Sequence, residues 1–267
     1  MDNQGQEVRL VDNPIQKILR KEESGPIVQS IVFGFGYRAR HGKDTVAAII
    51  KQNRGNPSRP QFLDFTPADL GRGYSISWPR YDIRIYSFAA ELKREVNENA
   101  EKSGGMINLF SPGLRAENFG GYMNARGDII PLPDWVQYDP DAPMDDPLCP
   151  YGKQRTLLQW WGTEFRRNVE PNYWVNKLAK RLADEKPEIA LITDMRFPNE
   201  VAFVREHGET IKVWNPLVPS VNLHASETSL DYMEDEDWSA IILNDGTLEE
   251  LKDRTLMVFD SLMEKEN

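Results

Sequence analysis

The 267-residue sequence holds one cysteine, Cys149, and three histidines. A lone thiol cannot form an intrachain disulfide, which suits a reducing cytoplasm, and no Cys/His grouping has the spacing of a zinc site. There is no Gly-x-Ser-x-Gly elbow, the usual signature of an α/β-hydrolase nucleophile. No apolar run approaches the ~20 residues that a membrane span needs, and the polar N-terminal stretch has no signal-peptide h-region. The expectation is a cytoplasmic protein without membrane contact. Positive charge is also scarce. Lys and Arg number 32 against 42 Asp and Glu, a formal net charge of −10, which argues against non-specific attraction to a nucleic-acid backbone. A local basic pocket is still compatible with that balance.

What is present alternates between strand and helix patterns. Residues 1–26 read as a polar arm carrying the breakers Pro14, Gly25 and Pro26. The core is expected over 27–267, with insertions at about 53–80 and 103–152, both rich in turn formers. The acidic run 139–146 reads as solvated surface rather than a metal site. Strands are predicted at about 27–35, Ile83–Phe88, Ile189–Thr193, Thr210–Trp214 and Ala240–Leu243. The run Ile189-Ala190-Leu191-Ile192-Thr193 is apolar throughout, as a parallel strand covered on both faces requires. Helices are predicted from Asp44, from Ala89 to about Ala100, over Arg155–Arg167, around Trp174–Leu182, and from Pro198 to His207. Thr247 and Glu250 form a capping box for a final helix. The pattern predicts a three-layer α/β/α fold of the P-loop NTPase type, with a mainly parallel sheet and an inserted lid or acceptor-side region.

The most informative stretch runs from Ile31 to Thr45. An apolar β-branched segment gives way to the basic loop Gly36-Tyr37-Arg38-Ala39-Arg40-His41-Gly42, then to Lys43-Asp44-Thr45 and the apolar Val46-Ala47-Ala48-Ile49-Ile50. Strand, loop and helix in that order build a P-loop. Backbone N–H groups and the positive end of the helix surround a phosphate chain. Gly36, Arg40, Gly42, Lys43, Asp44 and Thr45 are the candidate ligands, with Lys43 reaching the β- and γ-phosphates and a side-chain oxygen after it meeting Mg²⁺. The usual four-residue gap before Gly42-Lys43 asks for glycine at Tyr37. Either the loop is one residue longer and starts at Gly36, or it starts with tyrosine. Asp44 replaces the usual Ser/Thr.

In a parallel sheet, the C-terminal ends of strands converge on the ligand crevice. Asp194 ends one strand and could hold Mg²⁺ or cap a turn; Arg196 follows and could meet a phosphate or a carboxylate. Arg155, Arg166 and Arg167 flank a predicted helix that also carries Gln159, which could read a base edge. Trp160 and Trp161 either stack a nucleobase or belong to the core. His41 is expected near phosphate, and His207 at a helix end.

Four segments together resemble the deoxynucleoside monophosphate kinases of tailed bacteriophages. These are Gly42-Lys43-Asp44-Thr45; Leu157-Leu158-Gln159-Trp160-Trp161-Gly162-Thr163-Glu164 with Tyr173-Trp174-Val175; Asp194-Met195-Arg196 with Asn199-Glu200; and His224-Ala225-Ser226-Glu227 followed by Asn244-Asp245-Gly246. The resemblance covers 31–52 and 155–260, and Asp44 is normal for that family. It implies ATP as phosphoryl donor, Mg²⁺ as metal and a deoxynucleoside monophosphate as acceptor, in the host cytoplasm if the protein is phage-encoded. Lys43, Arg196 and Asp194 are then the candidate catalytic residues, and Asp44 and Asp194 the metal ligands. Arg155, Gln159, Arg166 and Trp160 fall on the acceptor side, and Asn244 borders the adenine of ATP. Two alternatives stay open: a P-loop kinase acting on a hydroxymethylated pyrimidine in DNA, and a nucleotide-binding protein without turnover. The preferred base is not legible, and a homodimer is neither required nor forbidden.

Overall fold

A computed structural model describes residues 26–56, 80–110, 132–219 and 228–266. The arm at 1–25, most of the 53–80 insertion, residues 111–131 and the segment His224–Glu227 lie outside the described residues.

Five strands form one sheet: β1 (Ile31–Gly36), β2 (Ile83–Tyr86), β3 (Ile189–Met195), β4 (Gly208–Trp214) and β5 (Ala240–Leu243). Their order is β2-β3-β1-β4-β5, and every pair is parallel. The apolar run of β3 is buried residue by residue through Thr193, because helices cover both faces of the sheet. β1 lies between β3 and β4. The chain leaves β1 toward one edge and leaves β3 toward the other, so a crevice opens at the C-terminal ends of these two neighbours. Gly36 pairs with Met195 across that end.

One face is covered by α1 (Lys43–Arg54) and by the last helix, residues Leu248–Glu266. Phe33, Phe35, Ile50 and Phe259 meet there. At its end, Arg54 forms a two-pronged pair with Asp260, Nε to Oδ1 at 2.8 Å and Nη2 to Oδ2 at 2.6 Å. The last helix starts as its sequence indicates, with Glu250 accepting from the Thr247 N–H at 2.7 Å. The other face carries α2 (Phe88–Lys102), α3 (Arg155–Trp160), α4 (Tyr173–Glu185) and α5 (Pro198–His207). The segment read as one helix from Arg155 to Arg167 changes register midway: α3 passes into a π-helix over Trp161–Arg167.

The described part of the 103–152 excursion, from residue 132 on, has no helix or strand. It nevertheless packs on the core through Leu132, Val136 and Cys149. The acidic run is not wholly solvated. Asp146 accepts from Lys93 of α2 at 2.7 Å, and the Leu148 carbonyl accepts from Asn97. Lys93 and the Leu148 N–H hold Asp146 below its ordinary range against a burial effect that pushes it up.

Candidate active site

The loop between β1 and α1 takes its shape from three left-handed residues, Tyr37 (φ 85°), Arg40 (φ 65°) and Gly42 (φ 99°). Tyr37 therefore adopts the backbone that a P-loop normally obtains from glycine, and the loop starts with tyrosine rather than with an added residue. Its ring compensates by contact. The Lys212 ammonium sits 4.6 Å from its centroid, the Arg38 guanidinium 5.3 Å, and the His41 ring meets it edge-on at 5.5 Å. Gly42 cannot be replaced cheaply, because a Cβ there would lie 2.6 Å from Asn244 Nδ2. The loop curls around Lys43, which is 6% exposed and donates to the Tyr37 carbonyl at 3.3 Å and to that of Arg38 at 2.5 Å.

The loop is also fixed from behind. His41 Nδ1 accepts from the Asn215 N–H at 2.9 Å, just past β4, and Asn244 Nδ2 donates to the His41 carbonyl at 3.0 Å. His41 is a scaffold residue as well as a wall residue. Asn244 stands behind the loop instead of at the cavity. Gly36 is likewise off the wall, because a Cβ there would run into the Trp238 indole. Its lack of a side chain serves close packing under the loop.

In front of the loop lies a cavity of about 980 Å³, bounded by the ends of β1 and β3, the start of α2, and the α3–π segment. Arg38, Arg40 and Lys43 of the loop, Lys93 of α2, Lys153 and Arg155 at the start of α3, Arg167 of the π-turn and Arg196 after β3 all line it. Among the described residues, only Asp44, Asp194 and Glu200 bring acidic side chains to this wall. An acidic protein thus carries a strongly basic cavity, with Asp44 and Thr45 exposed at the start of α1.

Asp194 couples β3 to α2. Its two carboxylate oxygens accept from the backbone N–H groups of Phe88 and Ala89, each at 2.8 Å, while Ser87 caps the same helix by accepting from Ala90 at 3.0 Å. Burial pushes the Asp194 carboxyl above its ordinary range, and those two N–H donors oppose the shift. Glu200 is 1% exposed and takes the Arg196 N–H at 2.7 Å, the Phe197 N–H at 3.1 Å and Arg167 Nη2 at 2.9 Å. Burial raises it to about 7 although Arg167 pulls the other way.

The structure brings Arg40, Gly42, Lys43, Asp44, Thr45, Arg155, Gln159, Asp194 and Arg196 to one cavity wall. Two acceptor-side expectations need correction. Trp160 is 2% exposed and stacks on Phe165 at 5.3 Å, so it is core and has no face for a base. Arg166 turns away from the cavity to Glu95, Nε to Oε1 at 2.7 Å, with its guanidinium against Phe165 and Tyr173. Its neighbour Arg167 faces the wall instead. Sequence reasoning missed Arg38, Lys93, Lys153 and Thr163 as wall residues; Thr163, inside the Gly-Thr-Glu motif, was the most findable. Among the described residues, no group of three His, Cys, Asp or Glu could hold a metal ion, and no helix is long and apolar enough to cross a membrane.

A family model described as deoxynucleotide monophosphate kinase matches residues 153–255, the stretch that carries the α3–π segment, Asp194, Arg196 and Asn244. A 53-residue stretch is 43% identical to the deoxynucleoside-5'-monophosphate kinase of Escherichia phage T5, covering 20% of this chain and 21% of that protein. The match therefore spans about a fifth of the phage enzyme's length. Among solved structures, a dephospho-CoA kinase from Campylobacter jejuni is similar at 14% identity and a TM-score of 0.40, over 87% of this chain and 97% of that one. The resemblance to phage deoxynucleoside monophosphate kinases is borne out over 153–255. Residues 31–52 lie outside the matched stretch and stand on the geometry of the loop.

Proposed function

We propose that this protein transfers the γ-phosphoryl group of ATP to the phosphate of a deoxynucleoside monophosphate. An acceptor phosphate oxygen forms the new bond to the γ-phosphorus, the bond to the β–γ bridging oxygen breaks, and ADP leaves with that electron pair. The observation that carries the reading is the basic cavity, lined both by the P-loop and by the family-matched helix. Such a transfer needs little covalent chemistry from the protein; alignment and charge neutralisation dominate.

Lys43 would leave the Tyr37 and Arg38 carbonyls for the β- and γ-phosphates, and Arg196 would neutralise charge on the transferring group. Arg155 and Gln159, exposed and lining the cavity, would hold the acceptor. Arg40 and the loop N–H groups would carry the donor phosphates, with Asn244 acting through the His41 carbonyl rather than on adenine. Mg²⁺, when bound, would supply neutralisation of the charge on the phosphates. The exposed Asp44 and Thr45 fit it directly, and Asp194, whose oxygens already accept N–H bonds, fits it better through water. The excursion from residue 132 would form the acceptor-side wall through Lys153.

The test is radiolabelled ATP with a panel of deoxynucleoside and ribonucleoside monophosphates and with hydroxymethylated duplex DNA. Label is expected in free deoxynucleoside diphosphates. Label found only in the DNA would overturn the reading.

A further inference from the structure

Two adjacent arginines leave one helical turn on different sides, as neighbours on any helix do, and the π register sets which side each one takes. Asn168 donates its N–H to the Thr163 carbonyl at 2.8 Å, a bond five residues back rather than four. On such a turn, residues five apart share a side. Trp161 and Arg166 are one such pair, and both reach the same oxygen. Trp161 Nε1 lies 2.9 Å and Arg166 Nε 2.7 Å from Glu95 Oε1. Gly162 and Arg167 are the next pair, and both line the cavity.

Glu95 sits near the middle of α2 and is 7% exposed. Its second oxygen accepts from the Tyr173 hydroxyl at 2.5 Å and from Lys177 at 3.4 Å, which ties α4 to the same point. Burial alone would raise this carboxyl, but the donors from Trp161, Tyr173 and Arg166 hold it below its ordinary range. On the opposite side, the Arg167 guanidinium stacks 3.7 Å from the Phe197 ring centroid, with Nη2 on Glu200. Nη1 also donates to Asn199 Oδ1 at 3.5 Å; these contacts orient the fork and use two of its five N–H donors, which leaves others for an anion.

We propose that Arg167, not Arg166, is the arginine this turn offers to the acceptor phosphate, and that Glu95 is the positioning residue that keeps the π register presenting it. Without the carboxylate, the half-buried Arg166 guanidinium and the buried Trp161 Nε1 would lose their shared acceptor, and the turn would relax toward an ordinary helix. One residue of slippage rotates a side chain by about 100° and carries Arg167 off the wall. The proposal rests on the acceptor reading given above.

The test is steady-state kinetics on the full chain, with separate titrations of deoxynucleoside monophosphate and ATP, beside thermal denaturation. Arg167→Ala should raise the acceptor KM about 10–100-fold, the scale of one lost charged hydrogen bond, and leave the ATP KM within about twofold. Glu95→Gln should give the same split. The split between the acceptor KM and the ATP KM separates a positioning Glu95 from a purely structural one, whose loss would lower stability without moving one KM alone. Should Glu95→Gln fail to fold, Arg167→Lys, which leaves Glu95 untouched, is expected to show a partial rise in the acceptor KM. An active wild type whose acceptor KM is unmoved by Arg167→Ala, or by Glu95→Gln, overturns this proposal alone. A folded wild type inert toward every monophosphate overturns the acceptor reading and this inference with it.

Discussion

Tyr37 stands where glycine ordinarily opens a P-loop, with its backbone in the left-handed region. For an L-residue that conformation costs about 1–2 kcal/mol, and glycine escapes the cost. Glycine instead carries about 0.4–1 kcal/mol of added freedom in the unfolded chain. The difference leaves Tyr37→Gly more stable than Tyr37→Ala by roughly 0.5–1 kcal/mol, the reverse of the order at a helical or extended site. Both variants lose the ring and with it the Lys212 and Arg38 cations, each worth about 0.5–1 kcal/mol at a partly exposed site. Urea midpoints at neutral pH for the three proteins measure this directly. Tyr37→Gly is expected to keep phosphoryl transfer, because the path of the loop is unchanged. An alanine variant as stable as the glycine variant, or more so, would refute the left-handed assignment and the equivalence of Tyr37 to the loop's opening glycine.

Lys43→Ala should lower turnover by roughly 10²–10³, the scale of one lost transition-state charge contact, with the fold intact by circular dichroism; near-normal turnover would remove the donor-site reading. Asp44→Ser restores the common P-loop residue and should shift the Mg²⁺ titration toward weaker dependence with reduced activity, whereas an unmoved titration would assign Asp44 to the helix N-terminus instead. Glu200 is raised from 4.5 to about 7. A raised carboxyl binds its proton more tightly when folded, so its stabilising contribution is complete below about pH 4.5 and gone above about pH 7. Glu200→Gln should therefore flatten the fall of stability across that window, read from denaturation midpoints at several pH values; an unchanged slope would contradict the shift.

The elements that set the fold were legible because their signals are local. The apolar run of β3, the strand–loop–helix around Gly42-Lys43 and the Thr247–Glu250 cap each declare themselves within a few residues. The site was legible where a loop or strand end carries it, as at Lys43, Asp194 and Arg196. It was not legible where the facing of a residue depends on helical register. A π-turn leaves no mark in hydrophobic periodicity over so short a span, so although Arg166 and Arg167 had to point in different directions, which of them lines the cavity was not legible. Lys93 looks like any surface charge on an amphipathic helix until Asp146, far along the chain, is seen to fix it at the cavity wall. Trp160 follows the general tendency of tryptophan on a helix to serve packing.

The clamps behind the P-loop also bear on how the chain is made. His41 waits for Asn215, 174 residues later, and its carbonyl waits for Asn244, 203 residues later. β1 itself has both its neighbours, β3 and β4, in the last third of the sequence. During synthesis the loop leaves the ribosome before β3 and β4, so its strand has neither neighbour to pair with until they follow. Closure over such separations is slow and leaves an apolar strand uncovered in the interval. The segment that would grip nucleotide is thus translated well before the residues that fix it, so a stalled or shortened chain lacking β4 and β5 would carry the P-loop sequence without its shape.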